Sequence, residues 1–202
     1  IETARASRWI ARVIVSTEDE EIAAVARRYG AETPFMRPRE LAQHDSPEWL
    51  AWQHAIRETI SRGGRLDAFV SVPTTSPLRI PEDVDACVET LLNQEADVVV
   101  TITPARRNPC FNMVTLDASG FARLFATPSG TIHQRQSAPP VYDLCTVAYA
   151  ACPDFVLRAN SIFEGRIRAV VIPPERSLDI DTELDFDIAD YIMRKRTTRG
   201  AR

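Results

Sequence analysis

The sequence is poor in lysine, in paired cysteines and in long apolar runs. Lys195 is the only lysine, and the net charge of −4 argues against a general nucleic-acid binder. The four cysteines form no CxxC pair, which favours reduced thiols over disulfides or a metal site. No apolar run approaches the ~20 residues of a membrane span, and we expect no signal peptide. These absences predict a cytoplasmic protein that binds neither a membrane nor nucleic acid.

Glycine-rich phosphate loops are also missing from the sequence. Its seven glycines form none of the loop motifs that cradle nucleotide phosphates. The chain opens with "IETARASRW", which we interpret as the back half of a helix, so we expect further residues upstream. What is present is an ordinary globular composition, with 202 residues of which 45% are hydrophobic and 26% charged. That is enough for one large domain with a sizeable core.

Strand-like and helix-like patterns alternate along the chain. Three short apolar runs rich in β-branched residues are typical of buried parallel strands: "ARVIVST" at 11–17, "LDAFVSV" at 66–72 and "ADVVVTIT" at 96–103. Thr17 and Glu20 predict a capping box that starts a helix after the first run. The alternation predicts an α/β fold with a doubly wound, mostly parallel sheet. Ligands on such sheets bind at the carboxyl ends of the strands.

A helix is predicted to begin at Pro81, because proline suits the first turn and two acidic residues follow it. Its inner face is predicted to consist of Val84, Cys87, Val88 and Leu91.

The alternation breaks after the third apolar run. Residues 104–145 contain short extended pieces and turns, which predict an inserted β-rich arm. The α/β domain would then comprise residues 1–103 and 146–195. Residues 196–202, which are rich in arginine, are interpreted as a frayed tail.

The stretch "RSLDIDTELDFD" carries the strongest chemical signal. In a strand, Asp179 and Asp181 would point the same way, about 6.6 Å apart. Neighbouring carboxylates repel each other, and a divalent cation such as Mg²⁺ removes that cost. The alternative is that one aspartate merely caps the next helix, although Thr182 with Asp185 could do that unaided. From the spacing alone, both interpretations stay open.

Two further stretches suit ligand binding. "TTSPLR" at residues 74–79 follows a predicted strand and offers two hydroxyl groups and an arginine just before a helix. "RQSAPPVY" places Arg135 in the arm, and an arginine fork suits a carboxylate or phosphate. A plain strand-to-helix turn and a solvated arginine are the respective alternatives.

Taken together, these stretches resemble the CMP-N-acylneuraminate synthetases over nearly the whole chain. The resemblance implies a Rossmann-like α/β domain of the nucleotide-diphospho-sugar transferase type. It also implies a dimerisation arm, through which a homodimer shares its active sites. The implied reaction transfers CMP from CTP to the anomeric hydroxyl of a sialic-acid-like nonulosonic acid and releases pyrophosphate, with Mg²⁺ or Mn²⁺.

The same resemblance implies roles for individual residues. Catalytic roles fall to two metal-binding aspartates and an arginine of the arm, namely Asp179, Asp181 and Arg135. Nucleotide binding falls to Arg37, Ser76 and Arg79, and substrate binding to Thr75, Gln136 and Tyr149.

The sequence departs from the family pattern in two ways. The opening strand and its lysine-containing phosphate loop are missing, and we expect no turnover without them. Pro73, Phe111, Asp143 and Cys145 differ from the residues typical of N-acetylneuraminate enzymes, which favours legionaminic, pseudaminic or another nonulosonic acid. The alternatives are a nucleotidyltransferase for another sugar acid or nucleotide, and a non-catalytic nucleotide-sugar-binding protein.

Overall fold

A computed structural model describes residues 1–127, 130, 132 and 134–200. Its helices are α1 (Glu2–Ala6), α2 (Glu20–Arg28), α3 (Glu48–Ser61), α4 (Pro81–Asn93), α5 (Pro153–Arg158) and α6 (Glu183–Gly200). Its strands are β1 (Phe69–Ser71), β2 (Val98–Pro104), β3 (Val114–Leu116), β4 (Ala122–Leu124), β5 (Tyr142–Ala151) and β6 (Ile167–Val171).

The main sheet has the strand order β1-β5-β2-β6. β2 and β6 are parallel, whereas β5 runs antiparallel to both β1 and β2. The reversal follows from the arm, because Pro104 at the end of β2 opposes Tyr142 at the start of β5. β2 and β5 thus form a long hairpin, and the chain between Pro104 and Tyr142 connects its two strands. The predicted α/β class is confirmed, with a mixed sheet in which β5 opposes its neighbours.

Helices cover both faces of the sheet, as the predicted doubly wound fold requires. Alternate residues of β2 point to opposite faces. Val99 packs against α4, through Val84, Cys87, Val88 and Leu91, as predicted. Val98 and Val100 face α3 and α5, whose buried residues include Trp49, Trp52, Ile56, Phe155 and Val156.

The first predicted strand does not join the sheet. Residues 11–17 are extended, but their described pairing is one parallel bridge between Ile14 and Glu32. Val15 donates to the Glu32 carbonyl at 2.9 Å, and the Glu32 amide donates to Val13 at 2.7 Å. An apolar, β-branched run predicts extended backbone, but a strand also needs a ladder of partners.

One predicted helix boundary is also wrong. Asp19, and not Thr17, caps α2, because its carboxylate accepts hydrogen bonds from the amides of Glu21 at 2.7 Å and Ile22 at 3.0 Å. Thr17 instead accepts from the amide of Asp19. At the other end of the chain, α6 continues through Gly200, so the helix extends into the predicted tail.

Among the described helices, none has the length and apolar character needed to cross a membrane.

Candidate active site

Two predicted stretches meet at one end of the sheet. The loop of residues 74–79, here called the TTSPLR loop, follows β1 at one edge of the sheet. Residues 177–182, here called the acidic segment, follow β6 at the opposite edge. They are joined by a hydrogen bond of 2.9 Å from the Ile180 amide to the Thr75 carbonyl. The chain after β6 therefore returns across the sheet and places the acidic segment beside the loop.

A bulge in β5 helps to hold the TTSPLR loop. Val100 of β2 opposes Tyr149, but the next residue, Thr101, opposes Cys145, so residues 146–148 form the bulge. The Thr101 hydroxyl donates within it, to the carbonyls of Cys145 at 2.7 Å and Ala148 at 3.1 Å. Bulges redirect side chains out of the regular alternation. Here the bulge exposes Thr146 to the loop.

Thr146 makes contacts with two residues of the TTSPLR loop. Its hydroxyl lies 2.6 Å from the hydroxyl of Ser76, which is fully buried. Its carbonyl accepts a hydrogen bond of 3.2 Å from Arg79, which also donates to the Pro73 carbonyl. These contacts therefore fix the arrangement of the loop. Thr75, between these anchors, is exposed.

Arg79 is a largely buried cation. Burial lowers its pKa to about 10, while the charges of Asp179 and Asp83 act in the opposite direction. The side chain therefore stays protonated at neutral pH. Its Nε is buried and has no hydrogen-bond partner among the described residues. A buried donor without a partner is costly, and an incoming anion would satisfy it.

The two aspartates differ in their surroundings. Asp179 is partly buried, and its Oδ1 has no hydrogen-bond partner among the described residues. Asp181 is exposed. Neither lies in a strand, because β6 ends at Val171 and residues 177–182 are irregular; the predicted strand at this point is wrong.

The helix after the acidic segment is capped by other residues. The Asp185 carboxylate accepts from the Thr182 amide at 2.8 Å and from its hydroxyl at 2.6 Å. In return, the Asp185 amide donates to the Thr182 hydroxyl at 3.2 Å. This is the predicted capping pair. Asp179 and Asp181 are therefore not needed as helix caps.

The donor set suits a magnesium ion held jointly with a substrate. Within the described residues there is no group of three or more His, Cys, Asp or Glu side chains that could hold a metal alone. Mg²⁺ does not need one, since it commonly takes one or two carboxylates and completes its shell with phosphate oxygens and water. The buried Oδ1 of Asp179, for which the described residues provide no hydrogen-bond partner, fits such a site.

Two other predicted site residues make their described ring and ion-pair contacts with residues outside the TTSPLR loop and the acidic segment. Tyr149 is a core residue whose ring packs 5.4 Å from that of Trp52, and burial raises its pKa to about 12. Arg37 pairs with Glu18 at 2.7 Å, and its Nε is buried without a described partner.

Arg135 and Gln136 lie exposed in a 3₁₀ turn of the arm. Arg135 donates to the Ala105 carbonyl at 2.8 Å, a contact within the arm. The described hydrogen bonds do not connect these two residues to the acidic segment of the same chain.

Residues that the sequence analysis did not assign complete the site. Thr146 anchors the TTSPLR loop, and Arg176 forms an ion pair with Asp83 directly beside it. Arg196 of α6 donates to the Leu78 carbonyl at 2.6 Å. No spacing rule could reveal these contacts, because they join residues far apart in the chain.

Comparisons with known proteins bear on the nature of this site. No family model matches the chain. It is 29% identical over 198 residues to the post-translational flagellin modification protein B of Campylobacter coli, covering 98% of this chain and 83% of that protein. It is also 29% identical over 212 residues to the CMP-N,N'-diacetyllegionaminic acid synthase of Campylobacter jejuni, covering 94% and 80%. The relatives confirm the resemblance to the CMP-nonulosonic acid synthetases.

This family includes a more distant relative, the N-acylneuraminate cytidylyltransferase of Escherichia coli. The identity is 26% over 197 residues, which cover 97% of this chain and 45% of that protein.

Solved structures support the same fold. A CMP:2-keto-3-deoxy-manno-octonic acid synthetase has a TM-score of 0.66 at 14% identity, covering 96% of this chain and 86% of that one. A 4-diphosphocytidyl-2C-methyl-D-erythritol synthase from Anaerococcus prevotii has a TM-score of 0.65 at 12% identity, covering 96% and 83%. At these identities the likeness shows the fold alone.

Proposed function

We propose that the protein is a cytidylyltransferase that transfers CMP from CTP to the anomeric hydroxyl of a nonulosonic acid and releases pyrophosphate. The class is supported by the relatives, which are named as CMP-legionaminic acid synthases and N-acylneuraminate cytidylyltransferases. The observation in the structure that carries the proposal is the hydrogen bond between Ile180 and Thr75. It brings the acidic segment and the TTSPLR loop together where ligands bind on such sheets.

Asp179 and Asp181 would hold Mg²⁺ or Mn²⁺. When bound there, the ion would neutralise the charge that develops on the phosphate oxygens. Arg79 would act in the same direction, because a cation in a partly buried site interacts more strongly with an anion than it does in water. Its Nε, which has no hydrogen-bond partner in the described part of the chain, would be the donor.

The protein's remaining task would be alignment. In nucleotidyl transfer the attacking hydroxyl and the departing pyrophosphate must lie in line, and little covalent chemistry falls to the protein. The contacts from Thr146 to Ser76 and Arg79 hold the TTSPLR loop ready for this role. Arg37, whose buried Nε has no partner among the described residues, would bind on the nucleotide side. Thr75 and Tyr149 would border the sugar.

For the sugar, we favour a legionaminic-type acid over N-acetylneuraminate. The match to the relative named for diacetyllegionaminic acid has 29% identity and covers 80% of that protein's length. The match to the relative named for N-acylneuraminate has 26% identity and covers 45% of that protein's length. Pro73 and the exposed Asp143 stand where the resemblance implies an amide and a basic residue in N-acetylneuraminate enzymes. Loss of that amide and charge would weaken binding of that acid.

The arm would pair with a second copy of the chain. Its hairpin β3–β4 exposes large apolar side chains: Val114, Leu116, Phe121, Leu124 and Phe125. A two-stranded hairpin alone is marginally stable in water, so a partner surface would stabilise it. Arg135 and Gln136, exposed in the same arm, would then approach the partner's active site.

A substrate panel tests the proposal. Full-length protein is mixed with CTP, Mg²⁺ and legionaminic, pseudaminic or N-acetylneuraminic acid, and pyrophosphate release is measured. We expect release with at least one acid, and the most with the legionaminic type. A folded dimer that releases none with any of them would contradict the function. Nucleotide preference follows from thermal shifts, since CTP should stabilise the protein more than other nucleotides do.

A further inference from the structure

Arg176 and Asp83 form a charged contact that the proposed chemistry does not use. The Arg176 guanidinium donates to both oxygens of the Asp83 carboxylate, from Nη2 to Oδ1 at 2.8 Å and from Nε to Oδ2 at 3.0 Å. The Asp83 side chain is 5% exposed and that of Arg176 is 24% exposed. Such a bidentate, partly buried ion pair has a defined geometry that an exposed ion pair lacks.

The pair connects the bases of the two segments that form the candidate site. Asp83 lies in the first turn of α4, directly after the TTSPLR loop, where it also accepts from the Ile80 amide at 3.0 Å. Arg176 ends the 3₁₀ turn Pro174–Arg176, three residues before Asp179. The Ile180–Thr75 hydrogen bond is the second connection between the same two segments. The charged pair and this hydrogen bond together fix how the segments lie relative to each other.

A second arginine supports this interpretation. Arg196 of α6 donates to the Leu78 carbonyl in the TTSPLR loop at 2.6 Å and to the Glu175 carbonyl at 3.2 Å. Two arginines from different elements therefore bridge the same pair of segments.

We propose that Arg176 is a positioning residue, which, through Asp83, holds Asp179 and Asp181 in register with Arg79 and the TTSPLR loop. The proposal rests on the proposed function, because the register matters where these groups act on one substrate. Without Arg176, Asp83 would be left as a buried carboxylate with an unpaired charge, and the segments would separate to hydrate it. Lysine would keep the charge but not the rigid fork, so it would restore the register only in part.

The structure offers a matched control on the same helix. Arg8 pairs with Asp85, two residues along α4, with Nε at 2.9 Å from Oδ2, and the Asp85 side chain is also 5% exposed. This pair connects α4 to the chain after α1, and neither residue belongs to the TTSPLR loop or to the acidic segment. Arg8→Met therefore removes an ion pair to a buried carboxylate without touching either segment.

Three variants are compared: Arg176→Met, Arg176→Lys and Arg8→Met. Hydrogen exchange at the Ile180 amide reports the register directly, and Mn²⁺ binding in the presence of CTP, followed by electron paramagnetic resonance, reports the metal site. Steady-state kinetics give kcat, KM for CTP and the Mg²⁺ concentration for half activation.

For Arg176→Met we expect about tenfold faster exchange at Ile180 and weaker Mn²⁺ binding, because the segment opens locally. We expect kcat to fall about tenfold or more with a smaller change in KM, since a misplaced group costs more in the transition state. Arg176→Lys should lie between this variant and the wild type. Arg8→Met should leave exchange at Ile180, Mn²⁺ binding and kcat unchanged.

Unchanged exchange at Ile180 in Arg176→Met would overturn the proposal, and so would equal losses of kcat in Arg176→Met and Arg8→Met. If the wild type does not use CTP at all, the proposed function fails. In that case exchange at Ile180 still decides whether Arg176 holds the register.

Discussion

Asp179 and Asp181 lie two residues apart and are suited to different tasks. Asp179 is partly buried, with one oxygen that lacks a described partner, near enough to Arg79 to act on its pKa. Asp181 is exposed. Removing the charge of a buried group disturbs folding and function together. Removing the charge of an exposed group changes function without disturbing folding. Asp181 is therefore the better test of the metal site.

Asp181→Asn should abolish turnover and leave folding nearly intact. A neutral amide is a poor ligand for Mg²⁺, whereas an exposed substitution of this kind changes stability by about 0.5 kcal/mol or less. Pyrophosphate release and urea unfolding are measured on the same preparation. Asp187→Asn, also exposed and six residues along, is the control and should retain activity. Comparable losses of activity and stability in Asp181→Asn would contradict the metal role.

The sequence predicted contacts between residues that lie close together in the chain. Thr182 and Asp185 were expected to cap α6, and they do, because a capping pair is set by its spacing of three residues. The partners of Asp83 and Ser76 could not be predicted. Arg176 lies 93 residues from Asp83 and Thr146 lies 70 residues from Ser76, and only the tertiary fold brings such residues together.

Among the elements, the parallel pair β2–β6 is aligned by one carboxylate. Asp97, just before β2, accepts from the Arg166 amide at 2.8 Å and from its guanidinium at 3.3 Å, just before β6 begins. The Asp97 amide donates to the Arg166 carbonyl at 2.9 Å. The hydrogen bond from the Arg166 amide is the main cause that lowers the pKa of Asp97, and the hydrogen bond from the Arg166 side chain lowers it further. The start of the two strands is thereby fixed.

Asp97→Asn should destabilise the protein by about 1 kcal/mol at pH 7, because it replaces charge-assisted hydrogen bonds by neutral ones. The pKa of Asp97 is lower in the folded state, so its contribution is complete above its unfolded pKa of about 4 and is lost as the pH falls through the folded value. The difference between wild type and variant in urea unfolding should therefore shrink below about pH 4. A difference that persists undiminished at pH 2 to 3 would show that the charge is irrelevant.

The sequence predicted elements where burial is one-sided and regular. The inner face of α4 followed from its spacing alone, and the structure confirms it. Residues 11–17 were predicted as a strand for their apolar, β-branched composition, yet the one β-bridge described there joins Ile14 to Glu32. Composition reports the preference of a segment for extended backbone. It does not report whether neighbouring strands are available to pair with it.

For the whole molecule, the arm is one of the apolar surfaces that burial within one chain leaves unexplained. Leu116 at 70% and Phe121 at 69% are among its most exposed apolar residues. The resemblance implied a dimerisation arm, and the structure places an apolar hairpin there. If a second copy covers this hairpin, a charge on it should separate the copies.

Leu116→Lys should shift the protein from dimer to monomer and reduce turnover, because the arm of one subunit would no longer reach the site of the other. Analytical ultracentrifugation across a concentration series measures the association. Leu92→Lys, which changes an exposed leucine of α4 outside the arm, is the matched control and should remain dimeric. Equal behaviour of the two variants would exclude the hairpin as the interface.

The proposed reaction breaks the bond between the α- and β-phosphates of CTP and transfers the α-phosphate to the nonulosonic acid. Phosphorus NMR of full-length protein with CTP, Mg²⁺ and the preferred acid follows both products in one sample. We predict equal amounts of pyrophosphate and of a new phosphodiester signal that correlates with the anomeric carbon of the sugar. Orthophosphate in place of pyrophosphate, or pyrophosphate with free CMP and no phosphodiester, would contradict it.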